Sequence, residues 1–423
     1  MDTIFALSSG QPPAAIAVMR ISGPGAFRVA RTLAGSLPSD RTAGVRSLRD
    51  AQGAILDRAL VLAFPGPRTA TGEDLVELHL HGGRAVVRAV EQALLGHPGL
   101  RRAEPGEFTR RALGNGVIDL LQAEGLADLL EAETEAQRRH AIAMSEGALS
   151  KRVRGWLDEL AAVSALVEAS LDFSDEDDVD AADLGVIRDH VARVRRGLDA
   201  TLAAGPISRL RDGLTVVFAG PPNAGKSSLF NAMIGREAAI VTPVAGTTRD
   251  VLEATIIRAG YPFRLVDTAG VRDQTDDPIE RIGIERARQA ATSGDIVLWL
   301  GDRELAPPGA IAILAKADQI QTEEGDAITT SVLWSDSIDA LWDVVTERAD
   351  GLMPRPGDTL ATDLQRESLI NVASALEGFD LLDDLLLAAE QLRVARRDLS
   401  KLLGIGATEI MLDALFGRFC VGK

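Results

Sequence analysis

The stretch Gly220-Pro221-Pro222-Asn223-Ala224-Gly225-Lys226-Ser227 decides the fold of the central part of this chain. It has the spacing G-x-x-x-x-G-K-S, follows a short apolar strand predicted over residues 216–219 and precedes the helical sequence of residues 228–233. A strand, a glycine-rich turn and a helix in this order form a phosphate-binding loop, because backbone N–H groups and the helix N-terminus then face an anion. We expect Lys226 to supply positive charge and Ser227 to offer its hydroxyl to Mg²⁺; the plain alternative is a glycine-rich turn without a ligand.

Two further segments follow the loop in the order that a nucleotide site needs. Residues 265–270 read Leu-Val-Asp-Thr-Ala-Gly, which puts Asp267 at the end of a second apolar strand, where it can hold the magnesium shell through water. Gly270 can then donate its N–H to a γ-phosphate. Between the two segments, residues 246–250 read Gly-Thr-Thr-Arg-Asp, a loop able to present a threonine hydroxyl to the metal. Three elements in this order predict a site for a nucleoside triphosphate with Mg²⁺.

Length, composition and charge exclude several classes of protein. A chain of 423 residues suits two or three domains, and 46% apolar with 25% charged residues is an ordinary globular mixture. The net charge of −17 means that a nucleic-acid partner would need a local basic patch. One cysteine, Cys420, excludes an intrachain disulfide framework and fits a reducing compartment. No basic leader or long apolar run is present, so we expect a soluble, cytoplasmic, untargeted protein without a membrane span.

The character of the sequence changes along the chain and predicts four segments. Residues 1–118 alternate short apolar runs with Gly and Pro clusters, which is typical of an α+β domain. Residues 119–209 and 356–423 have apolar residues at helical spacing, whereas residues 210–355 alternate strands and helices, as a parallel α/β domain does. We favour one helical domain split by an inserted α/β domain. The alternative is two helical bundles, but the last segment is thin for a core of its own.

Motifs spread over nearly the whole chain carry a resemblance to a known family. They are Met19-Arg20-Ile21-Ser22-Gly23, Thr71-Gly72-Glu73-Asp74, His81-Gly82-Gly83, residues 105–112, Asn223, Thr247-Thr248-Arg249-Asp250, residues 279–287 and Cys420-Val421-Gly422-Lys423. Together they resemble the MnmE family, also called TrmE, of tRNA modification GTPases. The resemblance implies an N-terminal tetrahydrofolate-binding-like α+β domain and a helical domain split by an inserted Ras-like P-loop GTPase domain.

The resemblance also implies how the central domain holds GTP and its metal ions. Mg²⁺ is expected at Ser227 and Thr248, and a K⁺ ion at Asn223, Thr242, Val244 and Thr247. A cation fixed between the β- and γ-phosphates would stabilise the transition state electrostatically. The implied nucleotide contacts are Asn223, Ala224, Gly225, Lys226, Ser227, Ser228, Thr242, Thr247, Thr248, Asp267, Thr268, Ala269, Gly270, Lys316 and Asp318. From the residues alone, plain turn chemistry is an equally good explanation of Asn223.

Glu280 is the catalytic residue that the resemblance implies. Val271 follows Gly270 where other GTPases have a glutamine that orients water, so another polar group has to do this, and Glu280 would do it through a bridging water. The alternative explanation is that Glu280, Arg281, Glu285 and Arg286 form a solvated helix face with spaced ion pairs.

The guanine-reading motif departs from the family pattern. The family has Asn-Lys-x-Asp, whereas residues 315–318 read Ala-Lys-Ala-Asp. Asp318 can still accept hydrogen bonds from the base and the stem of Lys316 can still cover it, but Ala315 loses side-chain hydrogen bonds worth about 1 to 3 kcal/mol. The last base-contact segment, expected near Trp334-Ser335-Asp336, is also a poor match. Residues 300–311 are few for a crossover between parallel strands, so we expect a helix to be missing there.

The resemblance implies that the N-terminal domain binds a tetrahydrofolate derivative (5-formyl- or methylene-tetrahydrofolate) through Arg20, Glu77 and Lys423. Val117 stands where the family has a lysine, which predicts weakened or rearranged folate binding. In isolation, an ordinary surface ion pair is the better explanation of each of these charged residues, and a buried apolar thiol is the commoner state for Cys420. The family tail makes Cys420 a candidate catalytic residue, either as a nucleophile toward uracil or as a group lining the site.

The expected function is GTP hydrolysis coupled to modification of tRNA. By resemblance, the protein is a homodimer joined through its N-terminal domains, and with an FAD-dependent partner subunit it installs aminomethyl or carboxymethylaminomethyl groups at C5 of wobble uridine. One rival function is that of a regulatory or ribosome-associated GTPase without folate chemistry. A second rival keeps the modification complex but makes this chain a weak hydrolase, because of Ala315.

Overall fold

The computed structural model describes residues 2–172, 181–221, 223–235, 252–267, 294–319, 327–355, 357–379 and 384–422. The chain forms two compact units. The first unit combines Met1–Ala127, Ala143–Ala162 and Arg396–Lys423, and the second combines Asp128–Ile142 with Val163–Ala395. In the described ranges, each unit contains one β-sheet.

The sheet of the first unit has the order β3-β4-β5-β2-β1-β6 and is antiparallel except for the parallel pair β1 and β6. Its elements are β1 (Thr3–Leu7), β2 (Ile16–Ser22), α1 (Ala26–Ala34), β3 (Ala43–Arg49), β4 (Ile55–Phe64), β5 (Leu75–His81), α2 (Arg84–Leu95), β6 (Leu100–Arg102) and α3 (Glu107–Gly114). Period-2 alternation buries Met19 and Ile21 against the helices and points Arg20 to the other face. The α+β architecture predicted for this part is found.

Long helices follow, as predicted from the periodicity of the sequence. They are α4 (Leu120–Glu131), α5 (Glu135–Ser145), α6 (Ala148–Asp172) and α7 (Ala181–Ala203). Asp119 precedes α4 and accepts hydrogen bonds from the backbone N–H of Gln122 (3.0 Å) and the hydroxyl of Ser150 (2.8 Å). The carboxylate thus satisfies one of the free N–H groups that begin α4.

The second sheet has the order β12-β11-β10-β7-β9-β8. The elements are α8 (Ser208–Arg211), β7 (Leu214–Ala219), α9 (Lys226–Ile234), β8 (Leu252–Arg258), β9 (Tyr261–Asp267), β10 (Ile296–Leu300), β11 (Ile311–Leu314), β12 (Ile328–Thr329) and α10 (Ser335–Leu352). The pairs are parallel except that of β8 with β9. The carboxyl ends of β7, β9 and β11 therefore meet at one edge, where α/β sheets bind ligands.

The crossover from β10 to β11 lacks an α-helix, as the short sequence predicted. Residues 301–310 contain one turn of 3₁₀ helix, Arg303–Leu305, and still return the chain to a parallel strand. The indole N–H of Trp299, whose side chain is wholly buried, donates to the carbonyl oxygen of Asp302 at 2.8 Å. This bond fixes the start of the short connection directly behind the phosphate loop.

The chain ends in α11 (Asp363–Ala375), α12 (Leu385–Leu402) and α13 (Glu409–Phe416). In the second unit, α11 packs on α7, and the backbone N–H of Ile207 donates to the carbonyl of Ala361 at 3.1 Å. In the first unit, Phe416 shares a buried cluster with Leu120 of α4. Segments on both sides of the second sheet thus pack against one another. None of the described helices is long and apolar enough to cross a membrane.

Candidate nucleotide-binding site

Two glycines and an asparagine shape the loop between β7 and α9. Gly220 has φ +141°, and a Cβ there would lie 2.1 Å from the carbonyl oxygen of Leu300, so any side chain would clash with β10. Gly225, with φ +99°, caps α9, and Asn223 has φ +60°. Such angles suit glycine and, less strongly, asparagine. The backbone therefore agrees with the turn-chemistry explanation of Asn223 and leaves its role toward K⁺ a prediction.

Lys226 is held over this loop by backbone carbonyls. Its ammonium group donates to the carbonyl of Gly220 at 2.9 Å and to that of Pro221 at 2.7 Å, and the residue is 7% exposed. Burial lowers the pKa of Lys226, and the negative charge of Asp267 partly offsets this effect. A phosphate bound at the loop would supply a stronger counter-charge and stabilise the ammonium form.

Ser227 and Asp267 bring two oxygen ligands together at the edge of the sheet. The hydroxyl of Ser227, in the first turn of α9, donates to Oδ2 of Asp267 at 2.5 Å. Asp267 is wholly buried at the end of β9, whose register with β7 pairs it with Phe218. A hydroxyl beside a carboxylate is the kind of hard oxygen donor set that Mg²⁺ prefers, usually together with substrate phosphates and water. The described residues therefore fit the predicted magnesium ion.

The motif at residues 315–318 lies on the other side of the loop. The ammonium group of Lys316 donates to the carbonyl of Asn223 at 3.1 Å, and its Cε lies 3.7 Å from where a Cβ on Gly225 would be. The methyl group of Ala315 lies 3.8 Å from the same point. An asparagine at this position would thus face the phosphate loop, whereas the alanine offers it only van der Waals contact.

Ser331 is the residue of this region that sequence reasoning missed. Its hydroxyl donates to Oδ1 of Asp318 at 2.6 Å, and it accepts from the backbone N–H of Leu333 at 3.2 Å. The expected segment, Trp334-Ser335-Asp336, instead begins α10, where the hydroxyl of Ser335 bonds to Asp336. The usable signal was a serine two residues after the end of β12, at the carboxyl edge shared with the other loops.

The structure brings together part of the predicted nucleotide site. Asn223, Ala224, Gly225, Lys226 and Ser227 form the loop with Asp267 and Lys316 around it, and Asp318 is oriented by Ser331. Ser228 is exposed in the first turn of α9. The predicted residues that lie outside the described residues are Thr242, Val244, Thr247, Thr248, Thr268, Ala269, Gly270, Glu280 and Lys423.

In the first unit, Arg20 and Glu77 are paired with each other. Strands β2 and β5 place them directly opposite, and Nη2 of Arg20 lies 2.8 Å from Oε1 of Glu77. The guanidinium also lies over the ring of Phe108, 5.8 Å from its centroid, and Val117 is exposed. Both charged side chains are partly exposed, so a ligand with carboxylates and amide donors could exchange for their mutual pairing.

Cys420 is exposed, contrary to the buried thiol that is commoner for a lone cysteine. The tail is held by a bridge between Val421 and Pro105 and by the hydroxyl of Ser8, which donates to the carbonyl of Gly422 at 2.8 Å. These bonds place the thiol in a cavity whose described lining includes neither Arg20 nor Glu77.

Comparison with known proteins gives matches over almost the whole chain. The family described as "GTP-binding protein TrmE N-terminus" matches residues 3–117, and that described as "MnmE helical domain" matches residues 120–420. Proteins named tRNA modification GTPase MnmE from Erythrobacter litoralis and Novosphingobium aromaticivorans are 53% and 52% identical, and each match covers 100% of both chains. A solved structure, the G domain of the T. maritima FeoB iron transporter, matches 32% of this chain and 98% of its own, with 22% identity and a TM-score of 0.25.

Proposed function

Because this chain belongs to the MnmE family of tRNA modification GTPases, we propose that it is the GTP-hydrolysing subunit of a complex that modifies C5 of the wobble uridine of tRNA. The observation that carries the proposal is the phosphate loop itself. Buried Lys226 is held over the loop by two carbonyls, and the hydroxyl of Ser227 lies 2.5 Å from the buried carboxylate of Asp267. This arrangement supports binding of a triphosphate with Mg²⁺.

Each described residue has a role that follows from its contacts. Lys226 would exchange its carbonyl partners for phosphate oxygens, and Ser227 would turn its hydroxyl from Asp267 to the metal. Asp267 would then accept from water in the metal shell. Bound Mg²⁺ and K⁺ would supply positive charge to the phosphates. We assign Ser227 and Thr248 to Mg²⁺, Asn223, Thr242, Val244 and Thr247 to K⁺, and the orientation of water to Glu280.

Guanine recognition rests on Asp318 and the residue that orients it. A carboxylate accepts from the N1 and N2 groups of guanine, which adenine cannot match, because adenine has no donor at N1. The hydroxyl of Ser331 fixes one oxygen of Asp318 and leaves the second oxygen for the base. With Ala315 beside the loop, we expect guanine specificity with modest affinity.

We also propose an inserted domain, with segments 1–118, 119–209, 210–355 and 356–423. The backbone bond from Ile207 to Ala361 supports this, because an insertion needs its two ends close together. So does the match of one helical family to residues 120–420, which includes the second sheet. The N-terminal segment would dimerise and bind a tetrahydrofolate derivative through Arg20, Glu77 and Lys423. Cys420 would act on the uridine, and a flavoprotein subunit would supply the redox chemistry.

Two experiments test the proposal. The purified wild-type chain should hydrolyse GTP faster in K⁺ than in Na⁺, and the Lys226→Ala variant should show no such stimulation by K⁺. Equal and negligible rates of GTP hydrolysis for the wild-type chain and the variant would overturn the proposal. In cells lacking the gene, mass spectrometry should show wobble uridines without the C5 group, restored by the wild-type chain but not by Lys226→Ala.

The rival, a regulatory or ribosome-associated GTPase, makes the opposite prediction for the RNA. Unchanged wobble uridines in cells lacking the protein would favour it. Binding of labelled 5-formyltetrahydrofolate to the purified chain separates the two functions independently, because the regulatory protein has no use for a one-carbon donor.

A further inference from the structure

The cavity that contains Cys420 is unusual in the charge of its walls. It measures about 850 Å³ and lies between α2, the loop of residues 9–12 and the tail of residues 417–421. Among the described residues, three arginines line it, Arg84, Arg88 and Arg102, against a single carboxylate, Glu91. The chain as a whole carries a net charge of −17, so this concentration of positive charge departs from the average of the molecule.

The arginines of this cavity have few partners within the protein. Arg88 is exposed, and its guanidinium group makes no hydrogen bond or ion pair with another residue of the described ranges. Nε of Arg84 donates only to the carbonyl of Pro12, at 3.3 Å. Arg102 forms an ion pair with Glu91, at 3.1 Å. Two of the three guanidinium groups thus have most of their donors open to a ligand.

A second cavity in the same unit, of about 730 Å³, shows the contrast. It is also lined by three arginines, but each is neutralised by carboxylates of the protein. Arg110 pairs with Asp413 and Glu409, and Arg154 pairs with Asp119. Arg111 contacts Asp2, Glu73 and Glu107. Arginines in that cavity hold the fold together, whereas Arg84 and Arg88 beside Cys420 remain available to an external anion.

We propose that the cavity around Cys420 binds a phosphate of the RNA backbone, which brings the thiol next to the tRNA substrate. This inference rests on the proposed function, which makes tRNA the substrate. An acidic protein needs a local basic patch to hold RNA, and the walls of this cavity supply one. Guanidinium groups match phosphate oxygens with two parallel hydrogen bonds.

The single cysteine of the chain provides a direct test. The full-length protein is alkylated with a neutral maleimide, so that the reagent itself does not compete for the arginines, and the rate is measured by mass spectrometry. Saturating tRNA should slow the alkylation of Cys420 at least about fivefold, as an occupied cavity would block the thiol. GTP and inorganic phosphate at the same phosphate concentration should leave the rate unchanged.

Charge variants test the walls of the cavity. Arg88→Gln should weaken tRNA binding and lower the slope of log K against log salt concentration by about 1, because one phosphate contact is lost. Glu91→Gln should act in the opposite direction, since it removes a negative charge from the cavity wall and frees Arg102. The control is Arg28→Gln, an exposed arginine of α1 outside the cavity, which should change neither quantity. Equal thermal unfolding temperatures would show that the variants fold.

Each outcome of these experiments either supports or excludes the proposed RNA site. Protection by tRNA that weakens in Arg88→Gln and strengthens in Glu91→Gln supports the site. If tRNA binds and Cys420 reacts at its original rate, or if Arg88→Gln and Arg28→Gln behave alike, the cavity is not the RNA site. Protection by GTP or phosphate as strong as that by tRNA would assign the arginines to a small anion. Intact potassium-dependent GTP turnover in those cases would leave the proposed function standing.

Discussion

The phosphate end and the base end of the candidate nucleotide site are built in different ways. The phosphate end has two glycines at positive φ, a buried lysine and a buried aspartate. Hydrogen bonds of 2.9 Å and 2.5 Å join the lysine to the loop and the aspartate to the first turn of the helix, respectively. At the base end, Lys316 and Asp318 are exposed, and Ala315 replaces the asparagine of the family pattern. The comparison indicates that the groups that would bind phosphate are buried and held in place by the fold, whereas recognition of the base depends on a few exposed side chains.

The reason is that a substitution destabilises the fold at the phosphate end more than at the base end. A substitution at Gly220 puts a side chain 2.1 Å from a carbonyl oxygen, and loss of Lys226 leaves Asp267 buried without its counter-charge. At the base end, an exposed side chain can be exchanged while the fold remains intact, at the loss of one or two hydrogen bonds. The following predictions rank the two ends by their effect on function.

Lys226→Ala should have the largest effect. Loss of the ammonium group removes the positive charge that would stabilise the transferred phosphoryl group, and we expect kcat/KM for GTP to fall about 100-fold to 1,000-fold. Steady-state phosphate release measures this. Lys151→Ala, at an exposed lysine of α6, is the matched control and should keep the wild-type rate. A fall of less than about tenfold would contradict the assignment of Lys226.

Asp318→Asn should have the next largest effect, confined to the base. We expect GTP affinity to fall about 10-fold to 100-fold, because the amide places a donor against the N1 and N2 donors of guanine. Xanthosine triphosphate, which carries a carbonyl at C2, should bind the variant better than GTP. Equilibrium binding of the two fluorescent nucleotides checks both statements. If the substitution lowered the affinity for GTP and for xanthosine triphosphate equally, Asp318 would not recognise the base.

Ala315→Asn should improve the site. An asparagine here faces the phosphate loop, and the restored side-chain hydrogen bonds should raise GTP affinity about threefold to tenfold, the equivalent of about 1 kcal/mol. Titration calorimetry with GDP and GTP measures the gain. Ala315→Ser, whose hydroxyl is too short to span the same gap, is the control. No gain in the asparagine variant would show that the base end of this chain had adapted to the alanine.

Ser331→Ala should have the smallest effect, about threefold to fivefold in GTP affinity, because it frees Asp318 to rotate without removing its carboxylate. Ser335→Ala is the matched control, four residues further along, since its hydroxyl bonds to Asp336. The same binding assay distinguishes them. If Ser335→Ala weakened GTP binding and Ser331→Ala did not, the base-contact segment would be the one expected from the sequence, and Ser331 would not orient Asp318 for the base.

Most of the architecture could be predicted from local patterns. The strand, turn and helix around Gly220-Lys226 follow from residue types adjacent in sequence, and the missing helix of residues 301–310 follows from length alone. Ser331 could not be found this way, because its place beside Asp318 depends on the pairing of Ile313 with Ile328 across two strands. The predicted roles of Glu280 and of all the K⁺ ligands stay predictions; apart from Asn223, these residues lie outside the described ranges.

The sequence by itself determined what depends on neighbours along the chain: the phosphate loop, the family, the helical and mixed segments, and the absent asparagine at Ala315. Only the tertiary structure decided which distant charges meet. It pairs Arg20 with Glu77 across 57 residues, neutralises the arginines of one cavity and leaves two of the three around Cys420 largely open. The physical reason is that motifs act through backbone geometry set within a few residues, whereas the partner of a charge depends on strand register and helix packing.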